Sequence, residues 1–264
     1  MRGKTVINQW LDLPFAGVFA ALIAFYGVTA LAIVWACFGT PLGDRLRRFD
    51  GVVGPFFGSV GILFALLTGF LASDIADRNR QAARAVQVEA GELRNIYALS
   101  VASASDMHDI RAAWRAYVHA AIQDEWPAMA RGEQAAAVNA AYDTLLREVS
   151  EPKIAVEAGA AVHGALLSAT VRMGTARSDR LALAADRTSS LKWEIVLLLG
   201  VMTQAAIGLV HLTKRNPHVA ALTVFSVAVV IALGLIAMQE RPFAGEVRIP
   251  PTALQDVLKM QNGS

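Results

Sequence analysis

Charged residues are scarce and unevenly spread. They are 17% of a 264-residue chain that is 55% hydrophobic. Residues 14–38, 51–73, 195–213 and 217–239 are nearly free of Asp, Glu, Lys and Arg. Each stretch is close to the roughly 20 residues that a membrane-spanning helix needs, which excludes an ordinary soluble protein. Cysteine is nearly missing too: Cys37 stands alone, so no intrachain disulfide is possible and the redox compartment goes unread. A formal net charge of +2 is too mild to argue for nucleic acid, and the interleaved aromatic and basic residues of a single-strand binder are lacking. No alternating run of β-branched residues points to strands, and no repeat of 20–50 residues is present. Nor can a nucleophile–base–orienter set, a phosphate-binding glycine loop or paired catalytic carboxylates be picked out, which reads as a non-enzyme without cofactor. Asp106-x-His108-Asp109 lacks a second fixed pair of ligands and reads as a helix cap rather than a metal site.

What is present is organised around residues 51–100. The stretch opens Gly-Val-Val-Gly-Pro-Phe-Phe-Gly, stays apolar to Ser73, and turns polar through Asp74, Asp77, Arg78 and Arg80 without a helix breaker. It reads as one helix that starts in a membrane and leaves it, with Pro55 in the first turn, where its missing N–H costs nothing. Between Pro55 and Tyr97 it would extend roughly 65 Å, about twice a hydrocarbon core. Its apolar half has two stripes at steps of three and four. Gly54, Gly58, Gly61, Ala65, Gly69 and Ala72 form one; Phe57, Val60, Phe64, Leu67 and Leu71 form the other. The small stripe suits close helix packing, a pore axis shared between subunits, or both. Phe56, Phe57 or Ile62 could supply an apolar constriction there.

In chain order, residues 1–13 form an interfacial segment with Trp10 as an anchor, and residues 14–73 hold spans 1 and 2. Residues 74–192 form an extramembrane helical bundle, 193–239 hold spans 3 and 4, and 240–264 form a C-terminal motif and a short helix. The expected fold is therefore an all-α membrane protein, with four transmembrane helices and a helical bundle inserted between spans 2 and 3. Within the bundle, a second helix capped by Ser105 and Asp106 should end at Trp126-Pro127, because a residue before proline avoids the α region. A third should run over about 131–149, and a fourth from Pro152 through Leu191 straight into span 3. Four spans put the bundle and both termini on one side. The tally of Lys and Arg favours the cytoplasmic side of an inner membrane.

Other positions have two readings. Asp74, Asp77, Arg78 and Arg80 make either an interfacial collar with Asp74–Arg78 pairing or a charged pore mouth. Gln204 and His211 are the strongly polar residues of span 3, where such groups are functional suspects. Glu240, Arg241 and Glu246 could form a local salt bridge at the exit from span 4.

Several short motifs together resemble the bestrophin-like family of bacterial and plant membrane proteins. They are Glu89-Ala90 with Leu93, Ile96 and Tyr97; Tyr117 with Glu125-Trp126-Pro127; Arg177 with Arg180-Leu181; Trp193 at the start of span 3; and Glu240-Arg241-Pro242-Phe243 with Gly245-Glu246. One departure is visible: Ser189, Ser190 and Leu191 stand where the family usually has a proline. A more distant similarity to bestrophins rests on the span layout and on Arg78-Asn79-Arg80 with Ala82, Ala83 and Ala85. The resemblance implies a homo-oligomer, pentameric in bestrophins, in which span 2 lines an ion pathway through the bilayer, with inorganic ions as cargo and no nucleic acid partner. By that reading Gly54, Phe57, Gly58, Gly61, Ile62 and Ala65 line the neck, and Asp74 and Asp77 draw cations to the mouth. A competing reading is a membrane-anchored signalling or scaffold protein, which would need Trp114, Tyr117 and Trp126 exposed for docking.

Overall fold

The computed structural model describes residues 6–41, 43, 45, 54–103 and 105–260, the side chains of 54–57 excepted. Among these residues the chain is all helix and turn, with no strand. Among the described residues four helices are long and apolar enough to cross a membrane. The chain divides into two compact units: residues 1–77 with 187–240, and residues 78–186 with 241–264.

The first unit is the membrane unit. It holds α1 (Val6–Leu11), α2 (Phe15–Phe38), the first half of α3 (Gly54–Ala102), α9 (Ser190–Val210) and α10 (Arg215–Met238). Val18, Leu22 and Tyr26 of α2 pack with Val229, Val230 and Leu233 of α10 and with Val196 of α9. Trp10 of α1 meets the fully buried Trp193 edge-on at 5.2 Å. Close approach is made possible by small residues: a Cβ on Gly200 would collide with Tyr26, and one on Gly234 with Phe19.

The second unit is a helical bundle. The other half of α3 joins α4 (His108–Ala120), α5 (Trp126–Arg131), α6 (Ala136–Val149), α7 (Pro152–Ala158), α8 (Ala160–Ala185) and α11 (Thr252–Lys259). Ala82, Val86, Ala90, Leu93 and Ile96 put the buried side of α3 against Trp114, Ile110, Leu145 and Met173. Trp114 donates its indole N–H to the Leu93 carbonyl at 2.9 Å, so its one polar atom is satisfied inside the core.

α3 is a single helix of 49 residues, as its lack of breakers predicts, and about 73 Å long. Three other boundaries differ from expectation. The helix does not stop at Trp126-Pro127. A π-helical turn, Ala121–Glu125, precedes it, and the Trp126 N–H reaches back to the Ala121 carbonyl. This wider turn moves the ladder away from the Pro127 ring and lets the helix continue as α5. α5 then stops because Gly132 turns left-handed (φ 75°), so α6 begins at Ala136, later than expected. The fourth helix is not continuous with span 3. Gly159 (φ 88°) separates α7 from α8, and α8 ends at Ala185, with Asp186 extended. The polar run Asp186-Arg187-Thr188-Ser189 is a linker before α9.

Candidate functional site

Span 2 is held in the membrane unit by one of its two stripes. Leu71 and Ile75 are buried, and Phe64 and Leu67 pack against the same core. Phe64 meets Phe225 of α10 at 5.9 Å. The small stripe is left open. Around a Cβ placed on Gly58 or Gly69 nothing lies within 4 Å, and Gly61 has only the Thr203 methyl group nearby, at 3.9 Å. Gly58 and Ala65 are exposed, and beside them Ile62 is 70% exposed. Gly54 and Phe57 stand in the first turn, and their side chains lie outside the described residues. Among the described residues the small face at Gly58 and Gly69 therefore meets no side chain, and at Gly61 only Thr203.

Where span 2 ends, charges alternate. Asp74 is exposed and pairs with Lys192 of α9 at 2.8 Å, not with Arg78 as helical spacing suggested. Arg78 lies on the buried side of the helix, 4.0 Å from Asp186. Asp77 and Arg80 are exposed.

Deeper in the membrane unit, Gln204 is fully buried and ties three spans together. Its amide N–H groups reach the Tyr26 carbonyl at 3.1 Å and the Ser226 hydroxyl at 2.8 Å, and its oxygen accepts from Thr29 at 2.7 Å. It acts as a clasp between α2, α9 and α10. His211 stands just past the end of α9 and returns its Nδ1 to the Ile207 carbonyl.

The bundle contains a second constellation, built from motif residues far apart in the chain. Arg180, fully buried on α8, donates two bonds to Glu89 of α3, at 2.6 and 3.0 Å, and one to Glu125 of the π turn at 2.6 Å. Its guanidinium also lies 4.6 Å over the Trp126 ring, a cation–π contact. One turn earlier Arg177 grips Glu125 and the Asn139 oxygen. Tyr117 donates its hydroxyl to Glu89 at 2.7 Å. Two carboxylates and two guanidiniums thus cancel in a buried site, where each charge needs its partners. Burial would lower the arginine pKa values, but the carboxylates outweigh it and hold Arg177 and Arg180 above the ordinary arginine range. Burial, reinforced by Glu89, pushes the Tyr117 phenol well above its usual value near 10. The cluster clamps α3, α4, the π turn, α6 and α8 to each other. Fixed charges with saturated bonds offer no open coordination to a ligand.

Tyr97 stacks on Trp114 at 5.0 Å, apart from this cluster. The C-terminal motif folds back on the bundle. Arg241 donates to the Ala130 carbonyl, Phe243 meets Trp126 edge-on at 5.8 Å, and the Trp126 indole donates to Ile249. Pro242 accepts the Ile249 N–H, closing a loop in which Gly245 has φ 82°. In the membrane unit Glu240 is buried and accepts the Thr188 N–H at 2.7 Å. The exit motif is thus held by bonds to distant backbone groups.

Trp114 and Tyr117 are fully buried and Trp126 nearly so, which removes the docking surface that a scaffold reading required. Asp106 accepts the His108 N–H and Arg111 from one residue outside the expected place, because the N-cap of α4 is Met107, which makes no side-chain cap bond. Among the described residues no group of three His, Cys, Asp or Glu is placed to hold a metal ion. Sequence reasoning missed the clamp as a unit. The signal was available: Glu89 falls on the apolar stripe of Ala82, Val86, Leu93 and Ile96, where an unpaired charge would not be tolerated.

A family model, the bestrophin-like domain, matches residues 23–254. No curated protein matches the chain. Among solved structures, the bacterial bestrophin homologue from Klebsiella pneumoniae is 13% identical with a TM-score of 0.65, over 93% of this chain and 98% of that one. A substituted variant of it is 15% identical with a TM-score of 0.65, over 91% and 98%. These structures share the fold of the chain.

Proposed function

The chain belongs to the bestrophin-like family of membrane proteins, and from that premise we propose that it forms a homo-oligomeric ion channel with span 2 lining the pathway. The observation that carries this reading is the open small-residue face of span 2, at Gly58, Ala65 and Gly69, next to the exposed Ile62. Among the described residues Gly58 and Gly69 have no packing partner in their own chain, and symmetric copies around an axis would give them one. Five copies follow from the resemblance to bestrophins. Gly54, Phe57 and Gly61 continue the lining on the same helix, and Ile62 supplies the constriction that closes by dewetting. Asp74 and Asp77 put negative charge at the mouth, with Lys192 offsetting that of Asp74.

The remaining assignments support this role. Residues 1–13 lie at the interface, 14–73 and 193–239 cross the bilayer, and 74–192 form the extramembrane bundle. The C-terminal motif in 240–264 fastens to it. Glu89, Glu125, Arg177 and Arg180 keep the bundle half of α3 rigid, and Tyr97, Trp126, Pro127, Arg241, Pro242, Phe243 and Gly245 are structural. The protein is a transporter of ions and not an enzyme, and it needs no cofactor. Bundle and termini face the cytoplasm of an inner membrane.

The test is ion flux through liposomes holding the purified protein, with oligomer mass measured in parallel. Ile62→Ala should raise the flux, and Asp74→Asn with Asp77→Asn should lower the preference for cations over anions. If an intact oligomer passes no ion at any potential or pH, and Ile62→Ala passes none either, the channel reading fails.

A further inference from the structure

The membrane unit carries a groove of about 620 Å³ between α2 and α10, which no residue of span 2 lines and which reaches the clasp only at Tyr26 and Ser226. Its walls are Ile23, Gly27 and Leu31 on one helix and Val219 and Val227 on the other, with Arg215 at one end. The α2 wall extends over residues 19–34, about 22 Å, which is longer than the roughly 15 Å of one leaflet's hydrocarbon. The groove exists because the α2 wall is low at its centre. Gly27 has no side chain there, and nothing lies within 4 Å of where its Cβ would be.

The lining is dry by construction. Thr223 donates to the Val219 carbonyl and Ser226 to the Leu222 carbonyl. Tyr26 donates to the Leu197 carbonyl. These hydroxyls are turned back into the protein, so water in the groove would find few partners and an apolar occupant is favoured. Arg215 is the exception. It is exposed and lacks an acidic partner among the described residues.

Charge is sorted along the unit. The described acidic residues, Asp12, Asp74, Asp77, Glu194 and Glu240, belong to the start of α2, the end of span 2, the start of α9 and the end of α10. The hairpin between α9 and α10 is at the opposite end, and there Lys214 and Arg215 stand without an acid among the described residues. The described part of the loop after α2 adds Arg45. A second copy docked by a two-fold contact through this hairpin would set the same cations against each other, so like charges argue against that occupant. An amphiphile with an apolar tail and an anionic head fits both halves of the site.

We propose that this groove binds one anionic phospholipid, its acyl chain lying between α2 and α10 and its headgroup phosphate on Arg215. The lipid bridges spans 1 and 4 along the groove.

The test is lipid retention by native mass spectrometry of the purified full-length protein, titrated with phosphatidylglycerol or with phosphatidylcholine of the same chains. Phosphatidylglycerol should bind and raise the melting temperature more than phosphatidylcholine. Arg215→Gln is a surface change that cannot disturb packing; it should weaken phosphatidylglycerol about fivefold, the equivalent of roughly 1 kcal/mol for one cation at a membrane surface, and leave phosphatidylcholine unchanged. Gly27→Leu should fill the groove and abolish retention of both lipids while keeping the helical circular dichroism. Equal binding of the two lipids, or an Arg215→Gln protein with unchanged preference, overturns the proposal. So does competition by millimolar inorganic phosphate, which would show that the site reads a free anion. A change of oligomer mass in Gly27→Leu would show an interface between copies and overturn it as well. Ion flux enters none of these readouts, so this proposal and the channel reading fail separately.

Discussion

Replacing Arg180 by methionine should be among the most damaging single changes in the bundle. Arg180 is fully buried and makes three charge-assisted bonds of 2.6–3.0 Å to two carboxylates that are themselves fully buried. Glu125 keeps Arg177 when Arg180 is gone, but Glu89 retains only the Tyr117 hydroxyl. A carboxylate stranded in this way costs about 3–5 kcal/mol. Arg180→Met should lower stability by that amount. Glu89→Gln, which strands part of a guanidinium, should cost somewhat less because Glu125 still holds it. The double variant removes both charges and should cost much less than the sum, with a coupling energy of about 2–3 kcal/mol. Denaturant unfolding in micelles, followed by tryptophan fluorescence, measures all three, since Trp114 and Trp126 both sit in the bundle. A loss below about 1 kcal/mol for Arg180→Met, or additivity within about 0.5 kcal/mol, would refute the view that this network clamps the bundle.

Gly200→Ala should destabilise the membrane unit by about 1–3 kcal/mol, because its Cβ would strike the Tyr26 ring, whereas Gly58→Ala, in open space, should leave the melting temperature of the protomer unchanged. Gln204→Leu should cost roughly 1–2 kcal/mol in thermal melts by cutting the clasp, and Gln204→Asn should restore little of it, being too short to reach both neighbours. Folded Tyr117 keeps its proton to higher pH than unfolded tyrosine, so stability is complete below pH 10 and falls as pH rises above it. Tyr117→Phe should remove that alkaline loss, read as a flatter stability profile above pH 10.

The four spans were legible because lipid leaves so little latitude: a helix that crosses it must be apolar for about 20 residues. The uninterrupted α3 was legible for a related reason, the lack of any proline between Pro55 and Pro127 and of any glycine between Gly69 and Gly91. Boundaries set by backbone adjustment were not. The rule that a residue before proline leaves the helix holds for a regular ladder, and Ala121–Glu125 evade it by widening one turn. The break before α9 had a local sign, the run Asp186-Arg187-Thr188-Ser189, which outweighs the apolar residues on either side. Glu89, Glu125, Arg177 and Arg180 could be picked out one by one, but their meeting depends on how α3, the π turn and α8 come together, which no short-range pattern encodes. The small face of span 2 was visible at steps of three and four; that it would be the unpacked face was not, since Phe64 and Leu71 compete for the same core.

The clasp at Gln204 has a consequence for the order in which the chain is made. Tyr26 and Thr29 leave the ribosome early, and Ser226 emerges 22 residues after Gln204 itself. Until the fourth span has entered the bilayer, the Gln204 amide has only part of its partners, and an unsatisfied amide in hydrocarbon costs several kcal/mol. The third span is therefore a poor resident of lipid on its own and a good one in company. A chain that ends between α9 and α10 keeps the Tyr26 and Thr29 bonds and leaves one Gln204 N–H without Ser226. Entry of the fourth span supplies that partner, so the clasp is completed last, by the span that is made last.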